Sequence, residues 1–144
     1  MQTINDIQEE IIEEFEVFED FMDRYAYIIE LGSRMPAMDE ALKVPDNLIE
    51  GCQSRVWIDC ELSGDGAMTI VGDSDSSIVK GLVALVVRVL SGQRPADIAA
   101  ADLFFIERIG LRDQLTPNRS NGLLSIIKRI KGYALAYGEL GGEA

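Results

Sequence analysis

The sequence predicts an α+β fold, in which a small antiparallel β-sheet packs against several helices. Apolar and polar residues alternate over Val56–Leu62 and again over Ala67–Gly72, with the turn-forming segment Ser63–Gly66 between them. This is the pattern of a β-hairpin with one face towards a core. Segments on both sides of the hairpin carry apolar residues at steps of three or four, as amphipathic helices do. At 144 residues, the chain is long enough to bury a core, and we expect one domain over residues 1–144.

The N-terminal segment, residues 1–31, is predicted to be helical and acidic. Apolar residues recur at helical spacing over residues 4–30, and a break near Glu19–Asp20 would divide this segment into two helices. Gly32 is the expected end of the second helix, because Met35–Pro36 follows it. Only Arg24 opposes the ten acidic residues in this segment, which are Asp6, Glu9, Glu10, Glu13, Glu14, Glu16, Glu19, Asp20, Asp23 and Glu30.

The net charge of −12 excludes some classes of partner. An acidic surface repels phosphate groups, so we expect neither nucleic acid nor an anionic membrane to bind. The acidic face is either a solvated surface or a surface that meets a basic protein. The longest apolar run, Ile78–Leu90, is interrupted by charges and is too short to span a bilayer. The N-terminus has no signal pattern, and we therefore expect a soluble, cytoplasmic protein.

Around the hairpin, further elements are predicted in chain order. Asp39–Lys43 forms one short helical turn, and Pro45–Gly51 is a loop. After the hairpin, Asp73–Ser77 is rich in residues that cap helix N-termini. The helix that follows, Ile78–Leu90, is apolar around most of its circumference and should be the central core helix.

The C-terminal third is predicted to be helical. Pro95–Ala100 and Ala101–Ile109 are two short helices, and Gly110 closes the second. A second cap-like turn, Leu115–Ser120, precedes a last helix from Arg119 to Tyr137. Residues 138–144 are expected to form a flexible tail.

Candidate chemistry is limited by the absence of histidine. Serine–histidine and cysteine–histidine catalysis and all histidine-containing metal sites are excluded. The two cysteines, Cys52 and Cys60, cannot form a zinc site alone and lack the spacing of a redox pair. Cys60 lies on the apolar face of the predicted strand and should behave as a small buried hydrophobe.

Cys52 is the candidate working thiol. It lies in Gly51-Cys52-Gln53-Ser54, where a loop becomes a strand, so rigid backbone could present it. A free thiol has a pKa of about 8.5, so activation would need a cation, a helix dipole or a partner. Arg55 and Arg119 are candidate cations, and on position alone an incidental loop cysteine is as good an interpretation.

Two further features bear on this thiol. Asp73 and Asp75 are most simply helix caps, and a pairing of Arg119 with one of them close to the cysteine loop is a hypothesis. Trp57 points away from Cys60 and should pack under a helix. A lone thiol without an acid–base partner suits sulfur exchange with a second protein, because that reaction needs no cofactor in this chain.

Five segments together resemble the SufE family, the sulfur acceptors of cysteine desulfurases. Their order and spacing agree from roughly Tyr25 to Lys131. These segments are Tyr27–Gly32, Gly51–Ser54 with Val56-Trp57, Gly72–Asp75, Ile78–Leu82 and Leu115–Leu123. The resemblance raises Cys52 from an open candidate to the expected sulfur-accepting residue.

The resemblance implies a reaction and its partners. A SufS-like desulfurase, which uses pyridoxal phosphate, would hold sulfur from L-cysteine as a persulfide. Cys52 would take that sulfur and pass it to an iron–sulfur scaffold complex, so the chain would be a transfer partner rather than a stand-alone enzyme. The implied fold is similar to that of the U-type iron–sulfur scaffold proteins. In the family the cysteine loop occupies an apolar cavity when free and extends on docking.

The resemblance also implies residues that support the cysteine loop, and alternative functions stay open. Gly51, Gln53 and Ser54 would shape the loop, and Asp75 and Arg119 would influence it or the docking. A CsdE-type acceptor that serves another sulfur-transfer route shares these motifs. A thiol redox protein would need a resolving cysteine, and a cluster scaffold would need about three thiolate ligands or more.

Overall fold

The β-hairpin is the element that carries the candidate loop. A computed structural model describes residues 2–50 and 54–141. Strands β1 (Val56–Leu62) and β2 (Met68–Ser74) pair antiparallel, from Val56 opposite Ser74 to Leu62 opposite Met68. In the turn, Gly66 has a φ of +88°, which favours glycine. The predicted hairpin is confirmed, although β2 runs from Met68 to Ser74 rather than from residue 67 to residue 72.

The apolar face of this hairpin packs on helix α3 (Ser77–Leu90), which has eight buried residues. Ser76 caps α3 by accepting a hydrogen bond from the Val79 amide. Helix α2 packs against α3 on another side, and α1 also contacts it. The prediction that this segment is the central core helix is therefore confirmed, and the fold is α+β as expected.

The N-terminal segment folds as two helices, α1 (Ile4–Glu16) and α2 (Phe21–Arg34). The predicted break is confirmed, because Asp20 ends the gap by capping the Met22 amide. The expected stop at Gly32 is wrong. Gly32 is buried inside α2 against the backbone of Gly81 on α3, so it serves a close helix contact rather than a helix end.

Two 3₁₀ turns connect α2 to the hairpin. Glu40–Leu42 lies within the predicted short turn, and Pro45–Asn47 lies in the segment predicted as loop. Asn47 is buried, and its side-chain amide donates to the carbonyl of Leu42. The chain leading to the candidate loop is therefore held in place rather than trailing over the surface.

The C-terminal third differs from the prediction in its short elements. Helix α4 (Pro95–Ala100) is confirmed, but the next predicted helix is reduced to α5 (Phe105–Arg108). A further short helix, α6 (Leu111–Gln114), begins after Gly110, whose φ is +84°. Helix α7 (Pro117–Gly141) starts earlier than predicted and continues into the segment for which a tail was expected.

The core lies between the inner face of the hairpin, α3, α7 and the two N-terminal helices. Cys60 is 3% exposed within this core, which confirms its prediction as a small buried hydrophobe. Within the described ranges, none of the helices is both long enough and apolar enough to cross a membrane.

Candidate functional site

The predicted loop residues Gly51, Cys52 and Gln53 lie outside the described residues. The structure does describe the chain on either side of them, up to Glu50 and again from Ser54. The candidate site is therefore built from the base of the loop and from the side chains packed against it.

The base of the loop is a short piece of antiparallel pairing. The Ile49 amide donates to the carbonyl of Val56 at 2.8 Å, and Leu48 bridges Trp57. Both Ile49 and Val56 are buried. Because paired, buried backbone opens only at a cost in free energy, the two arms of the loop leave the core from a fixed position.

The downstream arm is held by the end of β2. The Asp75 carboxylate accepts a hydrogen bond from the Arg55 amide at 3.0 Å, and the Asp75 amide donates to the Arg55 carbonyl at 3.2 Å. The Ser74 hydroxyl donates to the same carbonyl at 2.8 Å. The expectation that Asp75 caps α3 is wrong, since Ser76 is the cap. Asp75 instead fixes the chain just after the loop.

Arg119 approaches the site from the first turn of α7. Its guanidinium donates to the hydroxyl of Tyr25 at 3.0 Å and lies 6.0 Å from the centre of that ring. Its amide donates to the Thr116 hydroxyl, as expected of a capped helix start. Across residues 2–50 and 54–141, no ion pair joins Arg119 to Asp73 or Asp75, so the hypothesised pairing is replaced by the contact with Tyr25.

Asp73 belongs to a separate ionic cluster. Its carboxylate lies 2.9 Å from the ammonium of Lys43 and 3.4 Å from that of Lys80. Burial raises the pKa of Asp73, but hydrogen bonds from Lys43 and the Ser74 amide, together with the charges of the two lysines, outweigh it and lower the pKa below its ordinary value. Asp73 is thus a structural anion rather than the expected helix cap.

Trp57 belongs to the same outer face of the hairpin. It is half-buried, and the Lys43 ammonium lies 5.5 Å from its ring centre. Its neighbours there are Lys43 and Leu48 from the segment before the loop. Trp57 therefore helps to hold that segment in place, and its described contacts are with this segment rather than with the helix that was predicted to cover it.

A small cavity lies beside the loop, between α3 and the start of α7. Its volume is about 80 Å³, which is several times the space that one water needs. Buried Leu82, Leu123 and Ile126 are part of its apolar lining. The other lining residues are Ser54, Val79, Asn118, Arg119 and Gly122. The cavity can hold a small apolar side chain, with Ser54 and Arg119 next to it.

Cys60 contributes no chemistry to this site. Burial, with a smaller effect from the Asp59 charge, raises the pKa of its thiol to about 12. A neutral, buried thiol is a poor nucleophile. Its carbonyl accepts a hydrogen bond from the Tyr137 hydroxyl at 2.8 Å, which fastens β1 to α7.

Two residues near the loop were missed by the sequence interpretation. Tyr25 lies in the segment predicted to be helical over residues 4–30, and nothing in that pattern indicates that its hydroxyl accepts a hydrogen bond from Arg119. Arg129 lies in the predicted last helix without an assigned role, yet its guanidinium donates to the carbonyls of Asp46 at 3.0 Å and Leu48 at 3.1 Å. Neither contact has a sequence signal, because the two partners of each contact lie far apart in the chain.

Comparison with known proteins places this geometry among relatives. Residues 9–134 match the family model for SufE, described as a domain associated with Fe–S metabolism. An uncharacterized SufE-like protein of Rhizobium etli is 45% identical over 127 residues, which are 85% of this chain and 86% of the relative. An uncharacterized SufE-like protein of Rhizobium meliloti is 41% identical over 130 residues, which are 88% and 93% of the two chains.

A solved structure shares the fold. The solution structure of a hypothetical protein from Thermus thermophilus superposes with a TM-score of 0.74 at 18% sequence identity. The match covers 91% of this chain and 95% of that chain. At this identity the likeness concerns the arrangement of helices and strands alone.

Proposed function

The chain belongs to the SufE family, whose domain is associated with Fe–S metabolism, and from this membership we propose that it accepts sulfur on Cys52. The family match spans residues 9–134 and so includes the cysteine loop, Asp75 and Arg119. The observation that carries the proposal is the small cavity beside Ser54, because it would offer a thiol at the loop a sheltered place next to a fixed backbone.

The proposed reaction is an exchange between two sulfur atoms. The Cys52 thiolate attacks the terminal sulfur of a persulfide on the donor, and a new sulfur–sulfur bond forms at Cys52. The old sulfur–sulfur bond breaks, and the donor cysteine leaves as a thiolate that takes up a proton. The sulfane sulfur moves without net oxidation or reduction, so the step needs neither an electron acceptor nor a cofactor in this chain.

The surroundings of the loop favour a thiol with low reactivity until a partner docks. Burial against Leu82, Leu123 and Ile126 of the cavity would raise the pKa of a thiol and lower its reactivity towards other thiols and oxidants. Gly51, Gln53 and Ser54 would shape the loop. Asp75 would fix its downstream arm through Arg55, and Arg119 would border the cavity that we propose for the thiol.

The proposed partners follow from the reaction. The donor is a cysteine desulfurase of the SufS-like, pyridoxal-phosphate type, whose turnover this chain would stimulate by removing its persulfide. The recipient is an iron–sulfur scaffold complex, and the exchange takes place in the cytoplasm. A CsdE-type acceptor would use the same residues with a different donor and recipient.

Mass spectrometry of the intact protein tests the proposal. The chain is incubated with a SufS-type desulfurase and L-cysteine, and we expect it to gain the mass of one sulfur atom at Cys52. Cys52→Ser should gain none and should not stimulate the desulfurase. A Cys52→Ser protein that still carries sulfur and stimulates turnover would exclude the assignment.

A redox role for the thiol is disfavoured by Cys60. A peroxide-reducing or redox-sensing cysteine commonly uses a second, accessible cysteine to form a disulfide. Cys60 is 3% exposed on the core face of β1, and its pKa of about 12 keeps it protonated. Rapid peroxide-driven oxidation of Cys52 would be the result that favours the redox alternative.

A further inference from the structure

The upstream arm of the loop has an anchor of its own on α7. Arg129 is half-buried, and the two ends of its guanidinium donate to the Asp46 and Leu48 carbonyls at 3.0 and 3.1 Å. A planar guanidinium presents its donors in a fixed fork, so two bonds to one segment set the position of that segment. The arm is thereby fastened to the helix that also lines the cavity.

The contacts of Arg129 lie where the arm has little other regular structure. The downstream arm continues into β1, which pairs with β2 along seven residues. The upstream arm has a 3₁₀ turn over Pro45–Asn47, one bridge from Leu48 to Trp57 and the bond from Ile49 to Val56. The Asn47 side chain adds a bond to the Leu42 carbonyl within the same segment, and the two bonds from Arg129 fasten the segment to α7.

The same arginine lines one of two hollows that border α7. One is the small cavity on the Ser54 side of the loop. The other is an open groove of about 570 Å³ on the Glu50 side, lined in part by Arg129 and Ile49. Because Arg129 fixes the Asp46 and Leu48 carbonyls against α7, it also fixes the point from which the loop departs.

We propose that Arg129 is a positioning residue for sulfur transfer, which sets the upstream arm of the cysteine loop against α7 by binding the Asp46 and Leu48 carbonyls. This inference rests on the proposed function, because it assigns Arg129 to the presentation of Cys52. Arg129 takes no part in the sulfur exchange itself. It acts through the backbone of residues 46–49, while Asp75 acts in the same way on the other arm.

Hydrogen exchange tests the anchor without any sulfur chemistry. In Arg129→Gln, the amides of residues 47–50 should exchange about tenfold faster or more, since two charge-assisted bonds are lost. The amides of β2 and α3 should be unchanged. Arg129→Lys, which keeps the charge but not the fork, should give a smaller increase. Lys128→Gln is the matched control, because it removes the adjacent exposed charge and should leave exchange unchanged.

Two measurements on the thiol complete the test. In Arg129→Gln, the rate of Cys52 alkylation by iodoacetamide in the free chain should change about threefold or more, and the rate of desulfurase-dependent sulfur acceptance should fall about as much. Lys128→Gln should match the wild type in both. Unchanged local exchange and unchanged alkylation in Arg129→Gln would overturn the inference. If the wild-type chain accepts no sulfur, the proposed function fails, and hydrogen exchange and alkylation still decide on Arg129 as the anchor of the arm.

Discussion

The guanidinium of Arg119 is fastened to the hydroxyl of Tyr25, 94 positions away in sequence, at 3.0 Å. The same guanidinium lies 6.0 Å from the centre of the tyrosine ring, within the range of a cation–π contact. Tyr25 therefore decides where an arginine beside the cavity points. It connects α2 with the surroundings of the cysteine loop.

Replacing Tyr25 with phenylalanine should disturb the site more than the fold. Tyr25→Phe keeps the ring but removes the acceptor for Arg119, so stability should fall by only about 1 kcal/mol. We expect sulfur acceptance to slow about threefold or more, because the arginine is no longer held. Intact-mass kinetics with the desulfurase measure the effect. In an Arg119→Ala background, Tyr25→Phe should have almost no further effect, and additive losses would contradict the coupling.

Asp75 should act on the arm of the loop and not on α3. Asp75→Ala removes the acceptor of the Arg55 amide and should cost about 1–2 kcal/mol, with faster hydrogen exchange at residues 54–56. Asp75→Asn keeps an acceptor oxygen and should lose less. Ser76→Ala provides the comparison, since it removes the real cap and should cost about 1 kcal/mol with faster exchange at the start of α3. Equal exchange patterns for the two alanine variants would refute the distinction.

Local sequence predicts some of these elements and not the roles of the capping candidates. The hairpin, α3 and the division of the N-terminal segment follow from local periodicity and turn chemistry, and the structure has them near the expected bounds. Asp73–Ser77 offers five residues that could cap a helix. Which of them caps the helix depends on the partners of the others. Lys43 forms an ion pair with Asp73, and the Arg55 amide donates to Asp75. These partners come from other segments of the chain, so the local sequence pattern does not reveal them.

The missed parts of the site have the same cause. Arg129 binds two carbonyls 81 and 83 positions away, and Tyr25 binds an arginine on the last helix. Both are contacts between segments that are far apart in sequence, and neither arginine differs in its local sequence from an ordinary solvated arginine on a helix. The short helices α5 and α6 are likewise too brief for periodicity to define, because four residues complete only one turn.

The lowered pKa of Asp73 predicts an acid-sensitive contribution to stability. Its folded pKa lies below the unfolded value, so its contribution is present above the unfolded pKa and is lost as pH falls through the folded pKa. The stability gap between wild type and Asp73→Asn should therefore be largest near neutral pH and should shrink below about pH 4. Urea denaturation at several pH values measures it. The exposed Glu16→Gln variant is the control for the removal of one surface carboxylate.

Cys60 should be unreactive towards alkylating reagents in the folded chain. Cys60 is buried with a pKa of about 12, so iodoacetamide should leave it unmodified in the folded chain at about pH 8, where its thiolate is scarce. Cys52→Ser should then take up no label until denaturant is added. Mass spectrometry of the labelled chain counts the modified thiols. Prompt labelling of folded Cys52→Ser would show that the burial of Cys60 is not maintained in solution.

The contact of α2 with α3 should be the position least tolerant of an added methyl group. A Cβ on Gly81 would lie 2.1 Å from the Ile28 carbonyl oxygen, and one on Gly32 would lie 2.6 Å from the Gly81 nitrogen. Backbone cannot yield as a flexible side chain does, so Gly81→Ala must push the two helices apart. We expect a loss of about 2 kcal/mol or more, although alanine is the better helix former.

Gly132 on α7, unlike Gly81, has room for an added methyl group. A Cβ there meets no atom within 4 Å, and the residue lies inside a helix. Gly132→Ala should therefore stabilise the chain by about 0.5–1 kcal/mol, through helix propensity alone. Thermal and urea unfolding of both variants measure the pair. If Gly81→Ala were as stable as Gly132→Ala, α2 and α3 could not be as close as their glycines place them, and the wall of the cavity that α3 provides through Val79 and Leu82 would have to lie elsewhere.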